Sequence, residues 1–227
     1  MNLQDHYHNL YANAITAIKN DTYTIDPLID SKTDNRFGIT VLIRPSSQIK
    51  NKIQSFLDEL QQSNPNQYYY PGQDMHITVL SIISCYEGFN LGSIAIPHYV
   101  ALIQKSIEEL DNFEIHFRGI TASPSALMIQ GFVSNNSLNT LRHNLRVNFE
   151  KSSLQQSIDT RYAIHTAHTT VMRFREKITE KKALLDTLVK YREYDFGKFT
   201  PGKIELVYND WYQREQRVIG LHNFNLK

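Results

Sequence analysis

From residue 38 onward the apolar residues switch between alternate spacing and steps of three and four, and the switches fall in an order that occurs twice: β-α-β-α-β, then β-α-β-α-β-β. In the first copy a strand over 38–44 stops at Pro45. A helix on Ile49, Ile53, Phe56, Leu57 and Leu60 follows, with Ser46 or Ser47 as its cap. A strand over 75–83, a helix marked by Val100, Ile103, Ile107 and Leu110, and a β-rich run over 113–120 complete it. The second copy opens with 125–133, joined to the preceding run as a hairpin across Ala122, Ser123 and Pro124. A Ser137-capped helix carrying Leu138, Leu141, Leu145 and Phe149 leads to a strand over 164–174. A helix on Leu184, Leu185, Leu188 and Val189 and two closing strands, 203–208 and 217–224 with a turn at Asn209-Asp210, end the chain.

The shift that carries His76 onto His168 also carries 113–119 onto 205–211, whereas the helices match less well. No linker separates the copies, so two lobes sharing a cleft are expected rather than separable domains. An amphipathic helix on Leu3, Tyr7, Leu10, Tyr11, Ala14, Ile15 and Ile18 and a polar loop form a segment, 1–36, packed on a body spanning 37–227.

Charge narrows the partners. Among 227 residues, 24 Lys+Arg nearly cancel 23 Asp+Glu, which excludes a polybasic grip on extended duplex nucleic acid or an anionic membrane but allows a small anionic ligand. The longest uncharged apolar stretch, 77–85, is far short of the ~20 residues that cross a bilayer. Residues 1–8 carry neither the basic nor the apolar region of a secretory signal, and the lone Cys85 permits no intramolecular disulfide framework or Cys-based zinc cluster. A cytoplasmic monomer is expected.

The strands at 75–83 and 164–174 share one feature. Each contains His-x-Thr followed by an apolar residue: His76-Ile77-Thr78-Val79 and His168-Thr169-Thr170-Val171. On a regular strand alternate side chains share a face, so His76 and Thr78 project together with Leu80, and His168 and Thr170 together with Met172. Either motif alone reads as a strand-forming Thr beside a hydrogen-bonded interior His. Two at equivalent positions of a repeat point to a shared site.

On these motifs the sequence resembles the two-histidine (2H) phosphoesterases, a family that includes bacterial proteins named for 2′-5′ RNA ligase activity and cyclic nucleotide phosphodiesterases. The resemblance extends over roughly residues 37 to 226. It includes the Tyr68-Tyr69-Tyr70-Pro71 approach to the first motif, and Arg173 where many RNA ligase-like members carry an Arg. It implies an α+β fold of two pseudo-symmetric lobes, whose two mostly antiparallel sheets form a central cleft with helices packed outside. The implied activity is metal-independent and needs no cofactor: hydrolysis of a cyclic phosphate (2′,3′-cyclic nucleotide or RNA end) or a 2′-5′ phosphodiester. His76 and His168 would be general acid and base, in an order the sequence leaves open, and Thr78 and Thr170 would hold phosphate oxygens. Histidine suits both roles because its ordinary pKa, ~6.5, lets one ring be neutral and the other charged near neutrality. A non-catalytic module of the same fold binding a nucleotide or RNA end, and a metal-dependent hydrolase, are the competing readings.

Three further residues are candidates for substrate binding. Tyr70 and Trp211, with their aromatic neighbours, can stack a base. Arg173 can neutralise phosphate, but on a regular strand it points away from His168, so that role requires a bulge or the strand end. His165, His168 and Asp159 fail as a metal cluster on the same alternation, and Cys85 reads as packed rather than nucleophilic.

Overall fold

The computed structural model describes residues 2–226; residues 1 and 227, the outer limits of the two expected segments, lie outside the described residues. Within it run helices α1 (Leu3–Lys19), α2 (Ser47–Ser63), α3 (Ile96–Ile107), α4 (Ser137–Glu150) and α5 (Lys181–Lys190). The strands are β1 (Arg36–Ile43), β2 (Tyr68–Tyr69), β3 (Ile77–Glu87), β4 (Ile115–Ser123), β5 (Ala126–Val133), β6 (Thr169–Arg173), β7 (Asp195–Phe199), β8 (Lys203–Asp210) and β9 (Ile219–Asn225). The periodicities account for most of these. All five apolar residues that mark α2 are buried, and Ser46 Oγ accepts the Ile49 N–H as its cap. The start of α4 differs from expectation: Ser137 is its first helical residue, and the Ser137 N–H donates instead to Asn135 Oδ1.

The strands lie in the order β7-β4-β5-β6-β3-β1-β8-β9, with β2 on β6, and every pairing is antiparallel. The two expected sheets are the halves β7-β4-β5-β6 and β3-β1-β8-β9, fused into one nine-stranded sheet through the single pair Ile77↔Thr169. Corresponding strands start at 36 and 126, 77 and 169, and 115 and 203, and they occupy mirrored places about that junction. Each half lends its third strand to the other, β4 pairing with β5 and β8 with β1. Neither half therefore completes its sheet alone, and one hydrophobic cluster runs through both.

Three local expectations give way to tertiary context. The strand over 164–174 shortens to β6, because the chain up to His168 crosses β5 so closely that a Cβ on Gly131 would collide with the Ala167 carbonyl. Asn209 and Asp210 form the buried end of β8 rather than a turn; the chain reverses after them. β7 joins the edge against β4, unsignalled because Phe196 and Phe199 stand three residues apart, off the alternation of a regular strand, with Phe196 extra against β4.

Candidate functional site

The junction strands β3 and β6 are irregular at equivalent places. Against β1, the partners of Leu80 and Thr78 are consecutive, leaving Val79 extra; against β5, the partners of Met172 and Thr170 are consecutive, leaving Val171 extra. The fourth residue of each His-x-Thr motif is thus a β-bulge, which reverses the alternation beyond it. That reversal corrects one expectation. Met172 turns into the core, and Arg173 takes its place on the face of Thr170. A second bulge at Ile82 sets β3 repeating by threes, so that Thr78, Ser81 and Ser84 are its partly exposed residues.

His76, Thr78, His168 and Thr170 all line one cavity, with about 930 Å³ of empty space including its open mouth. Continuing the Ile77↔Thr169 pair one step each way sets His76 across from Thr170 and Thr78 across from His168. That register makes the two imidazoles diagonal neighbours, a relation that in a regular ladder spans roughly 7–8 Å and somewhat less at Cβ, with a threonine across from each.

Each ring is oriented through Nδ1 from two residues upstream. The Asp74 carbonyl lies 2.8 Å from His76 Nδ1 and can only accept, so that nitrogen carries the proton and Nε2 is left with a lone pair. His168 Nδ1 meets the Thr166 hydroxyl at 2.5 Å, a partner that can donate or accept. Burial, the largest cause, pushes both imidazoles down to about 4. Nearby positive charge adds to the shift, from Arg44 and Arg173 at His76 and from Arg142 and Arg173 at His168, where protonation of either ring also disfavours protonation of the other; the Asp74 carbonyl opposes the shift at His76. Both rings are accordingly neutral at pH 7.

The three other sequence candidates line the same cavity. Arg173 donates from Nε to the Tyr70 hydroxyl at 2.9 Å and lies 3.8 Å from Asp26, so Tyr70, almost fully buried, holds the guanidinium more than it offers a ring face. Trp211 carries two guanidiniums against its ring, Arg36 at 4.9 Å and Arg161 at 4.8 Å, with which a stacked base would compete. Cys85 also reaches the cavity, but burial raises its thiol to about 12, which leaves it inert as a nucleophile. Among the described residues no three His, Cys, Asp or Glu side chains cluster as a metal site.

Two supporting roles escaped sequence reading. Arg142 of α4, fully buried, donates from Nε to the Val79 carbonyl at 2.9 Å and from Nη2 to those of Thr78 at 3.0 Å and Thr166 at 2.7 Å. It clamps the two motif strands where the ladder between them consists of one pair. Tyr7 of α1, also fully buried, exchanges hydrogen bonds with the Gly131 backbone at 3.2 and 3.3 Å, and its phenol reaches the Thr166 side chain. The amino-terminal helix thereby supports the residue that orients His168. A charged residue inside the apolar stripe of α4 was the available signal for Arg142; Tyr7 was legible as part of the buried stripe of α1, but nothing in the sequence signalled its tie to Gly131.

No family model and no curated protein matches the sequence. Solved structures do. TT0787 of Thermus thermophilus superposes with a TM-score of 0.61 at 13% identity, over 83% of this chain and 97% of that one. A structure described as a phosphoesterase gives 0.56 at 13%, over 85% and 99%, and LigT of E. coli in complex with 3′-AMP gives 0.56 at 12%, again over 85% and 99%. Nearly the whole of each of those chains is spanned. At such identities the likeness is one of backbone architecture: the chain has the fold that TT0787, this phosphoesterase and LigT share.

Proposed function

We propose that the chain is a metal-independent phosphoesterase that hydrolyses a 2′,3′-cyclic phosphate, on a nucleotide or an RNA end, or a 2′-5′ phosphodiester. The observation that carries this reading is the meeting of both His-x-Thr pairs in one cavity, each imidazole held by Nδ1. Nε2 of one ring takes a proton from water as its oxygen bonds to phosphorus. The phosphorus–oxygen bond to the ribose breaks on the opposite side, and the second ring gives that oxygen a proton, leaving a phosphomonoester. Thr78 and Thr170 donate hydroxyl hydrogen bonds to the non-bridging oxygens, and the Arg173 guanidinium offsets their charge. The 3′-AMP and phosphate in crystal structures of E. coli LigT support a phosphate-bearing nucleotide as ligand.

Turnover of 2′,3′-cyclic nucleotides and 2′-5′ dinucleotides should persist undiminished in EDTA. Loss of activity on chelation and its return with a divalent ion would replace this mechanism by a metal-dependent one, and tight binding with no product would leave a binding module. Thr166→Val should lower kcat by about tenfold through loss of one orienting hydrogen bond worth ~1 kcal/mol or more, with KM little changed. Thr166→Ser, which keeps the hydroxyl, should restore most of it; equal damage by both in steady-state kinetics would reduce Thr166 to packing.

A further inference from the structure

The cavity runs past the motifs to a cation that the mechanism leaves unused. Along β3 it is lined by Thr78, Ser81 and Ser84, and beyond them by Arg161, an exposed residue of the loop between α4 and β6. Two hydrogen bonds lay that loop on the strand: the Ser157 N–H donates to the Ile82 carbonyl at 2.9 Å, and the Ser84 N–H to Ser157 Oγ at 2.7 Å. Arg161 Nη2 then donates to the Cys85 carbonyl at 2.6 Å, and its guanidinium rests on Trp211 at 4.8 Å from the ring centre. The group is thus held in place, yet only that one of its five N–H bonds has a partner among the described residues. The acids around it are engaged elsewhere: Asp159 by Arg146, Asp34 by Arg36, and Asp210 by Arg214 and Arg217. From Thr78 to Ser84 the strand advances roughly 13–20 Å at about 3.3 Å per residue, the lower figure leaving out the two bulge residues. In keeping with that separation, the cations that depress His76 are Arg44 and Arg173, not Arg161. The 5′ oxygen of a nucleotide lies only one ribose from its 2′,3′-phosphate, short of Arg161, whereas phosphates of further nucleotides reach it.

We propose that Arg161, with the Ser84 hydroxyl, is a subsite for a second phosphate of the substrate, upstream of the reacting one, and that it makes the chain favour an oligoribonucleotide end over a mononucleotide. A guanidinium grips a phosphodiester through paired N–H donors whatever bases flank it, so the subsite selects length rather than sequence. It rests on the phosphoesterase reading and narrows its substrate.

Cytidine 2′,3′-cyclic phosphate and its 5′-extended di- and trinucleotides, all ending in the same cyclic phosphate, test it. Across the series kcat/KM should rise by about tenfold once an added phosphate reaches Arg161, the scale of one charge-assisted hydrogen bond, and the rise should shrink between about 50 and 200 mM salt. Arg161→Met should bring the trinucleotide-to-mononucleotide ratio toward one, and Arg161→Lys should keep part of it. Ser84→Asp, which sets a carboxylate beside the guanidinium and keeps the backbone N–H bond to Ser157, should also abolish the rise. A flat series in the unaltered protein, or a rise that Arg161→Met leaves intact, overturns the subsite and leaves the phosphoesterase standing; should Arg161→Met fail to fold, Ser84→Asp decides alone. Should no member of the series be turned over, the phosphoesterase reading fails, and calorimetry with cytidine 3′-monophosphate and a cytidine trinucleotide 3′-phosphate decides the subsite. Tighter binding of the trinucleotide that Arg161→Met removes supports it, and equal or absent binding, or an advantage that the variant keeps, overturns it.

Discussion

Alanine at His168 should lower kcat/KM for a 2′,3′-cyclic nucleotide by about 10²- to 10⁴-fold, the range over which a positioned acid or base acts, and alanine at His76 should do the same. The double variant should be little worse than either single one, since the two rings serve one transition state and their losses do not add. A fall below tenfold at either position would remove that ring from the chemistry. The pH dependence provides a second readout. Water attack needs one neutral ring and one protonated ring, yet in the unliganded protein both are held down to about 4. Above that value the singly protonated form falls about tenfold per pH unit, so kcat/KM should climb by that factor per unit as pH drops from 8 toward 5. The limb belongs to the coupled pair rather than to one ring. A bound phosphate anion favours the imidazolium, so kcat should stay near its plateau to higher pH than kcat/KM does.

Stability moves with the same protons, in the opposite sense to catalysis. Each folded-state value lies below the ordinary ~6.5, so the unfolded chain binds more protons between about 6.5 and 4. The stabilisation due to the neutral rings is complete above that window and is lost as pH falls through it. The alanine variants should therefore lose less stability than the unaltered protein on going from pH 7 to pH 4. Denaturant melts at the two pH values would show it.

What can be read without coordinates is what local spacing controls. The helices announce themselves because a buried stripe on α2 or α4 needs apolar residues at steps of three and four, and the motifs because two His-x-Thr runs sit at matching places in a duplicated order. The bulges depart from the strict alternation of a regular strand. Within 77–85 the polar residues Thr78, Ser81 and Ser84 recur by threes, a period no flat strand supports, and that is the sign of two extra residues. Arg173 follows from the same irregularity in β6, where a regular strand would have pointed it away from Thr170. The burial of Asn209 and Asp210 lies beyond sequence reading altogether, since it comes from β8 taking its place beside β1 in the opposite half. Exchange of strands between halves is a tertiary fact, and residues at the ends of exchanged strands inherit surroundings their neighbours in sequence do not reveal.

Arg142→Met should be the most destabilising single change near the site, by about 3 kcal/mol or more, and should cost activity as well. The carbonyls of Thr78 and Val79, at the bulge in β3, and of Thr166, ahead of β6, all accept from one guanidinium where the two strands share a single pair. Its charge has no carboxylate partner in hydrogen-bond contact among the described residues, and burial lowers its pKa to about 10, so it stays protonated at neutral pH. Methionine matches much of the volume but donates nothing. Three buried acceptors then lose bonds worth ~1.5–3 kcal/mol each to a charged donor, offset in part by relief from burying the charge. For a chain of this size 3 kcal/mol corresponds to a fall of roughly 6–12 °C in Tm. Because two of those carbonyls flank the motif Thr78 and the third belongs to the residue orienting His168, the two strands should drift apart and kcat should fall with Tm. Lysine, which keeps the charge but cannot fork, should recover less than half of either loss. A methionine variant that melts within about 2 °C of the unaltered protein, well inside that expected fall, would show that the sheet junction holds the imidazoles in place without the clamp.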